Sequence, residues 1–226
     1  MKKETGKLLI IAIVMTAVFV LFTVLLKMVD VAPVGPLLSK VGFATVNAGV
    51  AAVLGYHHAL YVIATVFGIF CLLIAAGFAL MGAAQLVNTK DIRRVNHRIL
   101  AVGALYVCVA LVYLFFEFVV INYRPVVIND KLSPSYPSSH TMIALCITVS
   151  AAMVLKGVLK NRRLAMIIGW ACIGLGVLTV LFRFLSGAHW LTDIVGGLLA
   201  SAMLLCWFAW LLAVLRKGLG HSASRG

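Results

Sequence analysis

Six apolar runs of membrane-spanning length divide this sequence and leave little room for anything but a helical bundle in a bilayer. They extend over Leu8 to Val29, Ala59 to Gln85, Ile99 to Ile121, Ser138 to Leu159, Leu164 to Phe184 and Leu191 to Leu215. About 20 apolar residues in a helix cover the ~30 Å hydrocarbon core, and only a helix or a closed barrel satisfies its backbone there. Composition agrees: mean hydropathy is +1.13, and charged residues make up 11% of the chain, against roughly 25% in soluble domains. The expected fold is an all-α integral membrane domain spanning residues 1–226, with six transmembrane helices. The first run is too long for a cleavable signal core and reads as an anchor. The five cysteines fall in five different spans and read as apolar fillers, not a disulfide framework.

The net charge of +13 is unevenly distributed. Fourteen of the 19 Lys and Arg residues lie at the two termini and in the second and fourth connections, in clusters such as Lys90, Arg93, Arg94 and Arg98. By the positive-inside rule both termini are then cytoplasmic, and the other connections face outward. Topogenic signals and contact with anionic lipid account for these clusters, which makes nucleic acid an unneeded partner. In the first outward segment Val41, Phe43, Val46, Val50 and Leu54 repeat as one face of a helix suited to the membrane interface. His57 and His58 follow without the further ligands a metal site needs, and read as interfacial polar residues.

The outward connections carry the chemistry. His189 and Asp193 are four residues apart at the start of the sixth span, so they share a helix face. A carboxylate there can orient the imidazole and leave its other nitrogen free to attack. Arg183 ends the fifth span, where an ionisable group is a functional candidate and a guanidinium matches phosphate oxygens. Pro137, Ser138 and Ser139 open the fourth span as a capped helix start, with free N–H groups suited to an anion and His140 in the first turn. Arg124, followed by Pro125, adds a second cation. Taken singly, an ordinary cap, a snorkelling arginine or a structural His–Asp pair explains each segment; together they suit breaking a phosphate ester. A transporter would place its charges near mid-membrane on broken helices, whereas here they gather at outer helix ends.

The order Arg124-Pro125, then Pro137-Ser138-Ser139-His140, then Arg183, His189 and Asp193 resembles the type 2 phosphatidic acid phosphatase superfamily, the membrane lipid phosphate phosphatases. The resemblance implies that His189 is the nucleophile, forming a phosphohistidine, and that Asp193 orients it. It implies that His140 is the general acid, and that Arg124, Arg183 and Ser138, with neighbouring Ser139, hold the phosphoryl oxygens. No metal or cofactor is needed, since guanidiniums and helix N-termini supply positive charge. The sequence departs from the family at Ser139 (usually Gly), at Phe182 (usually Ser) and at Glu117 (usually Lys). Glu117 is expected to brace Arg124 two turns along one helix face or to be kept neutral by desolvation, while Lys131 restores the charge. The implied function is an outward-facing lipid phosphatase of the cell membrane. Undecaprenyl pyrophosphate is the first expectation for its substrate. Phosphatidylglycerophosphate, another lipid monoester, or transfer to a second lipid are the alternatives.

Overall fold

The computed structural model describes residues 2–128 and 130–222, with the side chains of Lys2 and residues 217–222 outside the description. Among the described residues seven α-helices follow one another: α1 Lys2–Met28, α2 Ala44–Leu54, α3 His58–Thr89, α4 His97–Phe118, α5 Ser139–Val154, α6 Arg162–Leu185 and α7 Leu191–Ser222. Six are long and apolar enough to cross a membrane; α2 is shorter. Their starts obey local chemistry. The Asn161 side chain accepts from Leu164 N–H at 3.0 Å to cap α6, and Asn96 accepts from Arg98 N–H at 2.9 Å to cap α4.

Helix α5 is the centre of the bundle and packs against α3, α4, α6 and α7, while α1 lies along α7. Small residues set these distances, as expected where lipid removes the hydrophobic drive between helices. At Gly176 an added Cβ would meet Thr148 Oγ1 at 2.3 Å, so α6 lies on α5 only because that side chain is missing. Large apolar groups such as Val107, Leu72 and Trp170 point away from the bundle, as a lipid-facing surface requires. Deep in α7, Trp207 donates from Nε1 to Thr16 Oγ1 at 3.0 Å and stands edge-on to Trp210. All five cysteines are free.

Three local expectations change. Helix α4 ends at Phe118, not Ile121, and its end is tied by Val119 N–H to Phe115 O. Arg124 is therefore off the helix, in a connection whose backbone pairs Tyr123 with Pro134. Pro137 precedes the cap and does not occupy the first turn: Ser138 is the N-cap and Ser139 begins α5. Helix α2 does form in the first long connection, but its inward stripe runs through Ala44 and Asn47, leaving Val46 exposed. A buried asparagine, not the valine repeat, orients it.

Candidate active site

The α4–α5 connection, the α6–α7 turn and the segment before α3 meet at one end of the bundle. Gly187, in the turn between α6 and α7, has φ +64°, and a Cβ there would fall 1.7 Å from Gly55 O. Glycine thus allows both the left-handed turn and the close approach of the residue 55–57 backbone. His57 N–H donates to Ser186 O at 3.0 Å across that junction. The ring of His58 instead faces the Tyr56 hydroxyl, 3.3 Å from Nδ1.

Asp193 is wholly buried, and its carboxylate is fully engaged. Oδ2 accepts from Trp190 N–H at 3.0 Å, and Oδ1 accepts from Asn122 Nδ2 at 3.2 Å. Its Oδ2 lies 3.6 Å from His189 Nδ1, on the inward side of the ring. That leaves Nε2 as the free nitrogen. The Asp193 main-chain carbonyl accepts from Ser138 N–H at 2.9 Å, which fastens the start of α5 to α7. Trp190 Nε1 donates to Tyr123 O at 2.7 Å, so the Arg124 connection is fastened there too. His189 lies outside the membrane-spanning helices. Burial, then the Arg124 and Arg183 guanidiniums, push its pKa well below the usual 6.5, opposed only by the Ser135 main-chain carbonyl, which favours the protonated ring. The ring is held neutral, the form a nucleophile needs.

Arg183 is completely buried at the end of α6, and Nε, Nη1 and Nη2 all lack a hydrogen-bond partner. Its guanidinium carbon sits 4.6 Å over the Tyr61 ring. Arg124 Nη1, His140 Nδ1 and both His189 ring nitrogens are likewise buried and unpartnered. Buried polar groups are normally paired, and a buried charge without an anion is costly. Such a set fits a site built to receive an anion.

A small cavity bordered by Glu117, Ser135, Tyr136, Ser139 and His189 opens beside these groups. Its neighbour is an apolar groove lined by Thr65, Gly68, Ile69, Tyr113 and Ile143, with His140 at its head. Tyr113 and Ser139 border both spaces. Ser138, by contrast, is buried; its N–H is taken by Asp193 O, and its Oγ accepts from Thr141 Oγ1 at 3.0 Å. Ser139 is thus the serine that faces the cavity, and the anion-binding N–H anticipated at Ser138 is already used. Lys131 is exposed on the turn of the α4–α5 connection and does not border the cavity. Glu117 and Arg124 form no ion pair among the described residues. The bracing expected from their spacing fails because α4 stops between them.

A family-wide sequence profile, the PAP2 superfamily, matches residues 103–217. The chain belongs to the PAP2 superfamily. That match starts within α4 and includes Arg124, His140, Arg183, His189 and Asp193. Among solved structures, the transmembrane PAP2-type phosphatidylglycerolphosphate phosphatase from Bacillus subtilis superimposes with a TM-score of 0.64. At 15% identity the likeness covers 92% of this chain and 96% of that one. It therefore extends the PAP2 fold to the helices before residue 103. No curated protein sequence matches at significant similarity. Within the PAP2 frame, Asn47, Tyr61, Asn122 and Ser135 are site neighbours that the motif reading missed. Asn122, two residues before Arg124, carried a faint signal as a polar residue beside an apolar run.

Proposed function

We propose that this protein is a lipid phosphate phosphatase working through a phosphohistidine, on the observation that a buried Arg183 guanidinium without a hydrogen-bond partner acts as a nearby cation on the buried ring of His189. His189 Nε2 attacks phosphorus, the phosphorus–oxygen ester bond breaks, and His140 gives the leaving oxygen its proton. Water then attacks the phosphohistidine while His140, now deprotonated, takes its proton; the phosphorus–nitrogen bond breaks, and phosphate leaves. Arg124 and Arg183 hold the non-bridging oxygens while Asp193 fixes His189, a division of labour that suits phosphoryl transfer. The two guanidiniums supply the positive charge that a metal ion would otherwise bring. The apolar groove at His140 offers a place for the lipid chain.

The excess of basic residues in alternate connections supports cytoplasmic termini and a site facing out of the cell membrane. That orientation favours undecaprenyl pyrophosphate. The carboxylate of Glu117 on the cavity favours a lipid phosphomonoester instead, and the similar structure from Bacillus subtilis is a phosphatidylglycerolphosphate phosphatase. We take the monoester as the substrate class. Purified protein should release phosphate from such lipids in the presence of a chelator, vanadate should inhibit, and His189→Ala should abolish turnover in a folded protein. Full activity in His189→Ala, or activity wholly dependent on a chelatable metal, would overturn this reading.

A further inference from the structure

Resting on the phosphatase reading above, we infer that Glu117 is a specificity residue whose negative charge makes the site select lipid phosphomonoesters against lipid pyrophosphates.

Glu117 lies in the last turn of α4, one residue before its end, and is exposed. It borders the same cavity as the nucleophile His189, together with Ser135 and Ser139. Among the described residues it has no hydrogen bond or ion pair within the protein, so neither Arg124 nor Lys131 offsets its charge by contact. The rest of the cavity wall is mixed, with Phe116, Pro137 and Met142 beside the polar groups of Ser135, Ser139 and His189.

The charges around His189 are therefore unequal. Arg124 and Arg183 both act on the ring as cations. They suffice to hold one phosphoryl group through its three non-bridging oxygens. A pyrophosphate head brings a second anionic phosphoryl unit, which needs polar space next to the first. Two spaces adjoin the site: the groove at His140 is walled mainly by apolar side chains, and the cavity at His189 carries Glu117. The second unit must either enter an apolar wall or approach a carboxylate. A monoester places only an ester oxygen and its carbon chain there, and meets neither penalty. This is discrimination by a repulsive element.

The experiment uses two lipids with identical tails, diacylglycerol phosphate and diacylglycerol pyrophosphate, in detergent micelles with purified full-length protein. Phosphate release gives kcat/KM for each, and their ratio is unaffected by any misfolded fraction of a variant. The parent should prefer the monoester. Glu117→Gln should shift the ratio toward pyrophosphate by about tenfold, equivalent to ~1.4 kcal/mol, and Glu117→Lys should shift it further. Parent preference for pyrophosphate, or a ratio moved less than tenfold in Glu117→Lys, overturns the assignment while leaving the phosphatase reading intact. If the parent releases phosphate from neither lipid, the phosphatase reading itself fails.

Discussion

Asn47 and Thr192 lock the short helix α2 onto the start of α7, one residue from Asp193. Asn47 Nδ2 donates to Thr192 Oγ1 at 2.9 Å, and Thr192 N–H donates to Asn47 Oδ1 at 3.2 Å. A second Asn47 Nδ2 bond reaches Gly42 O at 2.8 Å, and the side chain is wholly buried. The first turn of any helix has unsatisfied N–H groups; here one of them is met by a residue from outside the PAP2-matched region.

Asn47→Ala would therefore leave Thr192 N–H and its hydroxyl without that partner in a buried place. Each unsatisfied group costs about 1–3 kcal/mol. The expected outcome is a lower unfolding temperature in detergent together with at least a tenfold loss of kcat. Unchanged thermal stability and turnover would show that α2 does not hold the α7 start.

Tyr61 carries Arg183 on its ring face. Tyr61→Phe keeps a π-face and should retain most vanadate affinity, whereas Tyr61→Leu removes it. A cation–π contact is worth about 0.5–2 kcal/mol, so the Leu variant should bind vanadate roughly 2- to 30-fold more weakly. Inhibition constants for the two variants check this; equal loss in both would assign the effect to the hydroxyl.

The pH dependence follows from His189. Its folded pKa lies well below 6.5 because of burial and the two guanidiniums. Below pH 6.5 the unfolded chain takes up a proton at this residue while the folded chain does not. Its contribution therefore favours the folded state above that pH and is progressively lost below it, by up to ~1.4 kcal/mol per pH unit. Melting of the parent should fall more between pH 7.5 and pH 5.5 than melting of His189→Gln. An identical pH response in the two proteins would mean that His189 is not held neutral.

The proposed orientation has its own test. In a background without native cysteines, a cysteine at Lys131 should react with a membrane-impermeant thiol reagent in intact cells, and one at Arg94 should not. The reverse pattern would place the site on the cytoplasmic side.

Much of this protein is set by short-range sequence alone. Run length and hydropathy determine six spanning helices, because lipid offers the backbone no other partner. The four-residue step from His189 to Asp193 anticipates their contact, although His189 lies in the turn before α7 and not on a shared helix face. Arg183 announces itself as a charge in an apolar run. Tertiary structure decided the rest. Asn47 meets Thr192 across 145 positions, and Asn122 meets Asp193 across 71. No periodicity encodes such distant pairs. Tyr61 becomes the rest for Arg183 only when α3 packs on α6. Glu117 is the sharpest case: its spacing from Arg124 suits a continuous helix, but α4 ends at Phe118 and turns the carboxylate toward the cavity of His189. Local pattern determines which side chains a helix presents; where the helix stops, and what then packs against it, is decided by the assembled bundle.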